Sequence, residues 1–503
     1  MIDYKIINKN TKLYLGYDCI LPTTRLPNAL NIEYALIDFL ASFHTTNFRD
    51  GTVLQYNPNV LSTLFGKSFS YMETSQTDNI LGDWEVCYNA NIEHMSVYEL
   101  MRGNHKFIYP IAPIASLDLF MGIGTSNSEY SKAEGNYFWK NISNISLEYI
   151  RNGDAIIVID YTSEGVINRE TFEQIHIMLE LAKIPKENIF LCVGCYNAQE
   201  LYNKWFPKEK QYLTVRSWPI FPERVSVFYH RGERWNAPNK QCVNLNTFLE
   251  LKSTIRNKHC CFRVNSLREH RLFLMYSALL DGLLDVCDYS LLGGRLSETN
   301  DFHFQVISDL EHLNLEIRHF ERKFNVNYSD NDIIKINEFR KGAPYRLQNE
   351  SSITRVGFGM DKAENWTTSY FSACTETHYD TEYIVTTEKV YLTLLNFHPF
   401  VFFGIKGGLK LLKESGFKTF EGFIDESYDD VDDPIERMKL AYIQLKRLCS
   451  MTKEEIHNWY WSMEDILIHN HTHLTEYFKD HTALADDFME LTNRLNNKNH
   501  ILT

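Results

Sequence analysis

The sequence predicts an α/β protein with two doubly wound domains that face a cleft. Three segments lead to this prediction, because in each a short, largely apolar run alternates with a helical pattern, as in parallel strands joined by helices. The chain contains 503 residues, which is enough for two such domains with additional segments at both ends. With 44% hydrophobic and 23% charged residues, it has the composition of a globular protein.

The first segment covers residues 154–193. Residues 154–160 form a nearly continuous apolar run that ends in Asp160, a pattern typical of a strand buried on both faces of a parallel sheet. Apolar residues at helical spacing then predict a helix over residues 169–182, and a second strand follows at 188–193. This strand–helix–strand unit should be parallel and right-handed.

The second segment begins with a strand at residues 260–264. Asn265 or Ser266 can cap the helix that follows, and its apolar positions recur at helical spacing as far as Gly282. A second strand–helix unit is therefore expected here.

The third segment begins with an expected strand at residues 383–387. A short helix over 388–396 leads to a second strand at 400–403 and then to a helix over 409–415. Gly416 ends this last helix in the left-handed position that favours glycine.

These patterns suggest three regions of the chain. Residues 1–245 form an N-terminal extension and an α/β domain, whose α/β unit starts at about residue 150. Residues 246–440 form a second α/β domain, and residues 441–503 form a helical tail.

The charge of the chain restricts its partners. The net charge is −14, which does not fit a non-specific nucleic-acid coat, because such coats need many clustered cations. A local basic cluster nevertheless lies between residues 252 and 271, which contain six lysine or arginine residues and only one acidic residue, Glu269. The six are Lys252, Arg256, Lys258, Arg263, Arg268 and Arg271.

Several common devices are missing from the sequence. It has no P-loop and no G-x-G-x-x-G after a strand, so a kinase, a P-loop NTPase or a Rossmann dehydrogenase is not expected. It shows no membrane-spanning run and no secretory signal, so we expect a cytoplasmic protein without a membrane partner.

Three short patterns could suggest metal sites, and we interpret none of them as one. The C-x-x-C at 192–195 lies in an apolar run and lacks a second pair, so it is typical of a core strand. In the H-x-H-x-H at 469–473, neighbouring histidines would not share a helix face, and solvated side chains are expected instead. The D-x-D at 430–432 lies in an acidic stretch that indicates a solvated loop.

Arg268 and Arg271 are candidate ligands for phosphate. They lie three residues apart near the start of the second segment's helix, where the macrodipole disfavours cations unless an anion is bound. The alternative is an ordinary solvated helix face.

A second candidate group lies at the start of the helix near residue 388, at the edge where open α/β sheets bind ligands. Glu388 can be stabilised by the helix dipole, and it can also accept two hydrogen bonds from a vicinal diol such as ribose. Lys389 would place positive charge beside a pyrophosphate. The alternative is a structural first-turn glutamate, and Glu376 has the same two interpretations.

Asp160 and Glu164 are candidate bases in the N-terminal half. Each follows the strand at 154–160, and a carboxylate there could remove a proton from an acceptor hydroxyl. A structural cap is the alternative for Asp160.

Several spaced elements resemble a glycosyltransferase-like family common in tailed phages and large viruses. They are I-V-T-T-E-K-V-Y at 384–391, N-F-H-P-F at 396–400, L-K-E-S-G-F-K-T-F at 412–420 and D-E-S-Y-D at 425–429. The T-E-K element is also similar to that of exostosin-like and fucosyltransferase-like enzymes of GT-B architecture, which has two Rossmann-like domains.

The resemblance implies roles for individual residues. Glu388 would bind the ribose of a nucleotide-sugar donor, with Thr387 and Lys389 beside it. The R-E-H-R element at 268–271 would meet the donor phosphates, so residues 246–440 would be the nucleotide-sugar-binding domain. The turn at 160–165 would belong to the acceptor-side domain within residues 1–245.

The resemblance also implies an activity: transfer of a sugar from a nucleotide donor, most often UDP-linked, to an acceptor hydroxyl without a metal. The leading acceptor is a hydroxymethylated base of double-stranded phage DNA, with the host cytoplasm as location. A glycan or protein acceptor, or a non-catalytic nucleotide- or sugar-binding module, are the alternatives. No permanently bound cofactor is expected, the nucleotide sugar is a co-substrate, and the oligomeric state is left open.

Overall fold

The chain forms two compact units in a computed structural model. The first contains Met1–Arg224 and Lys479–Thr503, and the second contains Val225–Phe478. The structure describes residues 12–17, 91–111, 144–161, 169–210, 213–217, 219, 221–222, 225–226, 242–264, 267–291, 310–343, 345, 347, 363–480, 490 and 493–495.

The first unit is built on a six-stranded sheet. Its strands are β1 (Lys12–Tyr17), β2 (Asn91–Ser96), β3 (Phe107–Ile111), β4 (Ala155–Tyr161), β5 (Ile189–Val193) and β6 (Thr214–Ser217). Its described helices are α1 (Val97–Arg102), α2 (Asn144–Asn152), α3 (Arg169–Ala182) and α4 (Ala198–Trp205), with short 3-10 turns at Lys186–Asn188 and Lys208–Lys210. The strand order is β2-β1-β3-β4-β5-β6, and every pair is parallel.

The second unit is built on a four-stranded sheet. Its strands are β7 (Cys260–Val264), β8 (Cys287–Leu291), β9 (Phe371–Thr375) and β10 (Phe400–Phe403). Its helices are α5 (Leu245–Glu250), α6 (Glu269–Leu280), α7 (Leu310–Phe324), α8 (Asp330–Lys341), α9 (Glu364–Thr367), α10 (Glu388–Leu395), α11 (Gly408–Glu414), α12 (Pro434–Cys449), α13 (Lys453–Trp461) and α14 (Glu464–Asp480), with 3-10 turns at Leu251–Ser253, Leu283–Val286 and Ser427–Asp430.

The sheet of the second unit has a topological switch point. Its order is β10-β9-β7-β8 with all pairs parallel, so the chain first moves from β7 to β8 and then returns to the other side of β7. Ligands of open α/β sheets bind beyond the carboxyl ends of the strands at such a point. A ligand site in this unit is therefore expected beyond the carboxyl ends of β7 and β9.

The α/β class and the parallel sheets are confirmed. In the first unit, β4 and β5 lie inside the sheet, and Ile189–Val193 is fully buried, as expected for strands covered on both faces. The expected helix at 169–182 and the strands at 260–264 and 400–403 have the predicted bounds. Gly416 has a φ of +87°, the left-handed conformation that was expected.

The strand expected at 383–387 is wrong. The place between β7 and β10 is occupied by Phe371–Thr375 instead. The β-branched residues before Glu388 form a loop, in which the N–H of Thr387 bonds to the Glu376 carboxylate rather than to a neighbouring strand. Helix α6 also begins later than expected, because its N-cap is Arg268 in an extended conformation, and Asn265 and Ser266 lie outside the described residues.

The ends of the α/β regions also differ from expectation. The first sheet includes β1, β2 and β3, all of which precede residue 150. The segment expected as a tail is divided, since the chain up to Phe478 belongs to the second unit and Lys479–Thr503 belongs to the first.

The histidines of α14 are less solvated than expected. His471 is buried, and its Nδ1 lies 2.7 Å from the carbonyl oxygen of Leu395. His469 and His473 bond to the carbonyls of Gly416 and Ser415 at 3.0 and 2.7 Å. These histidines therefore satisfy carbonyls that the ends of α10 and α11 leave without an intrahelical partner.

Two other metal-like patterns have structural settings. Cys192 and Cys195 are buried, and burial raises the pKa of the Cys195 thiol to about 12. Asp432 is exposed and forms an ion pair with Lys406. No described helix is both long and apolar enough to cross a membrane.

Candidate functional site

The candidate site lies at the carboxyl ends of β7 and β9. The chain leaving β7 enters α6, and the chain leaving β9 forms a loop, residues 376–387, that enters α10. Two helix N-termini therefore flank the switch point, and both carry the positive end of a helix dipole. We call this loop the β9–α10 loop.

The first turn of α6 contributes two arginines. Arg268 is exposed, whereas Arg271 is only 3% exposed. Burial and the nearby charge of Arg268 lower the pKa of Arg271 to about 10, against the opposing effect of Glu376 and Glu388. Arg271 therefore stays charged at neutral pH in a position from which water is largely excluded, where its charge acts strongly.

The residues between these arginines hold the β9–α10 loop. His270 Nε2 donates to the backbone oxygen of Glu376 at 2.9 Å. Burial first, and then Arg271, lower the pKa of His270 to about 3, so the ring is neutral in this contact. Glu269 accepts a hydrogen bond from the Tyr379 hydroxyl at 3.1 Å and pairs with His319 and Lys323 of α7.

Glu376 is the buried anchor of the loop. Its side chain has no exposed surface. One carboxylate oxygen accepts from the N–H of Thr387 at 2.7 Å, and the other accepts from the Thr387 hydroxyl at 2.6 Å and from the N–H of Thr377 at 3.1 Å. The carboxylate thus joins the first and last residues of the loop and fixes where α10 begins.

Glu388 and Lys389 occupy the first turn of α10. Lys389 Nζ lies 2.9 Å from Glu388 Oε1, 2.9 Å from the Thr387 hydroxyl and 3.3 Å from the Thr377 hydroxyl. Burial opposes ionisation of Glu388, but Lys389, the backbone at the helix start and Arg271 prevail and lower its pKa below the ordinary value. Its side chain remains 23% exposed, so an ionised carboxylate can still meet a ligand.

The site therefore combines cations and one accessible carboxylate. Arg268, Arg271 and Lys389 all act on the pKa of His378, which shows that their charges converge on the β9–α10 loop. Cations at two helix N-termini suit a bound anion, above all phosphate groups. The carboxylate of Glu388 suits hydroxyl donors.

The structure brings most of the predicted site residues together. Arg268, Arg271, Glu376, Thr387, Glu388 and Lys389 all lie around the switch point of the second unit. Glu376 and Thr387 are buried and hold the loop, whereas the other four include the exposed or charged groups that a ligand would meet.

The candidate bases belong to the first unit. The backbone of Asp160 lies in β4, next to Cys192 of β5. Glu164 lies outside the described residues.

Sequence reasoning missed His270, His378 and Glu269 as members of this site. The R-E-H-R run contained two of them, and the signal was their position between two arginines at the end of a strand. Nothing in the sequence indicated that the residue after His378 would pack on α6, because that contact joins positions more than 100 apart.

The basic cluster expected at 252–271 does not form one surface. Arg256 is buried and bonds to Tyr460. Lys252 pairs with Glu464, Lys258 bonds to the carbonyl of Asp285, and Arg263 lies 4.0 Å over the Trp366 ring. Only the last two cations of the cluster, Arg268 and Arg271, lie at the candidate site.

Among the residues that the structure describes, no group of three or more histidine, cysteine or acidic side chains is placed to hold a metal ion.

Comparison with known proteins gives weak similarities only. No family model and no curated protein sequence matches the chain. A solved structure described as trehalose-6-phosphate from E. coli bound with UDP-2-fluoro glucose is 12% identical, with a TM-score of 0.34, over 96% of this chain and 99% of that one.

Two further solved structures are similar to the same degree. One, from work on bisubstrate glycomimetics of trehalose-6-phosphate synthase, is 13% identical with a TM-score of 0.35 over 94% of this chain and 99% of that one. The other, a trehalose-6-phosphate synthase, is 12% identical with a TM-score of 0.35 over 96% and 99%.

Proposed function

We propose that the protein is a glycosyltransferase that takes its sugar from a nucleotide donor. The observation that carries the proposal is the placement of Glu388 beside Arg271 and Lys389 at the switch point of the second sheet. A nucleoside diphosphate needs cations for its phosphates and, at a short distance from them, an acceptor for the ribose hydroxyls. The site offers both, and the α/β units agree with the GT-B class that the resemblance implies.

The same cations suit the transfer step. When the bond between the sugar and the diphosphate breaks, negative charge develops on the leaving phosphate oxygen. Arg268, Arg271 and Lys389, together with the N-terminus of α10, are fixed donors that would stabilise this charge. In this way the side chains of the chain itself can promote departure of the diphosphate.

The acceptor side rests on the sequence. A carboxylate of the first unit, Glu164 or Asp160, would accept the proton of the acceptor hydroxyl. The acceptor remains a hydroxymethylated DNA base by resemblance, with a glycan or a protein as the alternative. The cations of residues 252–271 are dispersed over separate contacts, so they do not form a basic groove for DNA.

Calorimetry with nucleotide sugars tests the donor site. UDP-glucose and GDP-, ADP- and dTDP-sugars are titrated in EDTA into the wild type, Glu388→Gln and Glu436→Gln. Glu436 is a matched control, because it also lies in the first turn of a helix, α12, and is exposed. Loss of hydrogen bonds to a charged group costs about 1.5–3 kcal/mol, so we expect E388Q to bind the donor about 10- to 100-fold more weakly and E436Q to bind as the wild type.

Equal donor affinity in E388Q and the wild type would refute the ribose assignment. Transfer is tested separately with the best donor, using hydroxymethylated DNA, oligosaccharides and proteins as acceptors and mass spectrometry of the products. A sugar mass on digested nucleosides supports the DNA acceptor, and a sugar on a glycan or protein removes it. Donor binding without transfer to any acceptor favours the non-catalytic binding module.

A further inference from the structure

His378 lies between the two helix starts that flank the site. The preceding residue, Thr377, accepts a hydrogen bond from Lys389 of α10 at 3.3 Å. The ring of the following residue, Tyr379, lies 4.5 Å from the ring of His270 of α6. Both neighbours of His378 are thus fixed, one to each helix, so the backbone of His378 is held between the two helix starts where the donor phosphates are expected.

Among the described residues, three cations that lower the pKa of His378 come from both helices. Burial is the largest cause that lowers its pKa, to about 4, and Arg268, Arg271 and Lys389 lower it further. Its ring lies 5.7 Å from the ring of Tyr383 of the same loop.

The three carboxylates of the site already have partners. Glu376 is bound by Thr377 and Thr387, Glu388 is paired with Lys389, and Glu269 is paired with His319 and Lys323. His378 is therefore a neutral imidazole among cations, and it remains partly exposed.

We propose that His378 is a phosphate-binding residue of the nucleotide-sugar site, and that it takes up a proton from solvent when the diphosphate binds. The inference rests on the proposed function. A bound diphosphate brings two negative charges, which offset the neighbouring cations and provide acceptor oxygens for an imidazolium N–H. The proton returns to solvent when the diphosphate leaves, so the step is a reversible protonation with no other chemical change.

The size of the effect follows from the two states of the ring. If the diphosphate cancels the effect of the cations and of burial, the imidazole returns to its ordinary pKa of about 6.5. Binding would then take up about 0.9 proton at pH 5.5 and about 0.2 proton at pH 7. Donor affinity should therefore increase as the pH falls over this range.

Calorimetry in buffers of different ionisation enthalpy measures this proton uptake directly. UDP-glucose is the first probe, because its diphosphate is esterified at both ends and does not titrate between pH 5 and 7. Wild type, His378→Gln and His469→Gln are compared at pH 5.5 and pH 7. His469 is a matched control, since it lies on α14 and contacts the carbonyl of Gly416.

We expect the wild type and H469Q to take up close to one proton at pH 5.5, and H378Q to take up none. The affinity of the wild type should exceed that of H378Q by more at pH 5.5 than at pH 7. Donor binding without proton uptake in the wild type, or with the same uptake in H378Q, overturns the role of His378 and leaves the donor site intact. Failure of the wild type to bind UDP-glucose or any other nucleotide sugar overturns both proposals.

A second measurement covers the case in which H378Q does not fold. The imidazole signals of the wild type are followed by NMR during pH titrations with and without UDP-glucose, and His378→Asn assigns the signal. A ring that titrates near 4 alone and near 6.5 with the nucleotide sugar supports the proposal. A ring with the same pKa in both titrations overturns it.

Discussion

Replacement of Glu376 by glutamine tests whether the β9–α10 loop is held from inside. Glutamine keeps the shape of the side chain but turns one of the two acceptor atoms into a donor. Glu376 accepts three hydrogen bonds, two of them from the backbone N–H groups of Thr377 and Thr387. In either orientation of the amide, at least one buried N–H faces another donor.

The cost of this change can be worked out from the contacts. Loss of a hydrogen bond to a charged group costs about 1.5–3 kcal/mol, and a buried N–H left without an acceptor adds about 1–3 kcal/mol. Removal of a buried charge recovers part of this, because desolvation of the carboxylate no longer opposes folding. We therefore expect E376Q to destabilise the second unit by about 2 kcal/mol.

Urea unfolding followed by circular dichroism measures the global effect. At a slope of about 3 kcal/mol per molar urea, a loss of about 2 kcal/mol moves the midpoint down by about 0.7 M. Because the two units can unfold separately, hydrogen exchange of peptides over residues 376–395 locates the change. Glu414→Gln is the control, since Glu414 is exposed and its ion pair with Lys410 spans 3.9 Å.

The reasoning on Glu376 fails if E376Q unfolds at the same urea concentration as E414Q and the loop keeps its protection. Such a result would mean that the three hydrogen bonds are replaced without loss. Faster exchange limited to residues 376–395, with a lower midpoint, is the expected outcome.

Two further predictions concern stability. The pKa of His270 is about 3 in the folded chain and about 6.5 in the unfolded chain, so the unfolded chain binds more protons between these pH values. The contribution of His270 to stability is therefore fully present above pH 6.5 and falls below it, by up to about 2 kcal/mol at pH 5. Urea midpoints measured at pH 7.5 and pH 5 should differ less in His270→Gln than in the wild type. Gly416→Ala should lower the free energy of unfolding by about 2 kcal/mol, because φ is +87° and a Cβ would lie 2.8 Å from His473 Nε2. Gly422→Ala, at φ +91° with open space around it, should lower it by only about 1 kcal/mol. Thermal or urea unfolding measures both variants, and equal losses of stability would mean that the new methyl group does not displace His473.

The predicted and observed structures agree where a sequence pattern is compatible with only one type of secondary structure. The buried strands at 260–264 and 400–403 and the helix at 169–182 follow from continuous apolar runs and helical spacing alone. The strand predicted at 383–387 is absent from the sheet. Its β-branched residues have high strand propensity, but contacts with residues distant in the sequence decide which segment enters the sheet. Here Phe371–Thr375 pairs with β7 and β10 and excludes the later segment.

The site was predictable in part for a related reason. Charged residues at the start of α6 and α10 could be recognised because the sequence shows helix starts to within a few residues. The different roles of Glu376, which holds the loop, and Glu388, which can meet a ligand, could not be predicted, since both are acidic residues near an expected strand end. Burial separates them: one carboxylate is enclosed by threonine and backbone donors, and the other remains partly exposed.

The first unit has a consequence for the order in which the chain folds during synthesis. Arg216 of β6 pairs with Glu490, and Thr214 of the same strand accepts a hydrogen bond from Arg494 at 3.0 Å. These partners leave the ribosome only after every residue of the second unit has been made. Domains usually fold from the N-terminus as they emerge. These side-chain contacts at the β6 edge of the first sheet can form only after the later segment has been made, by which time the second unit can have completed its own sheet.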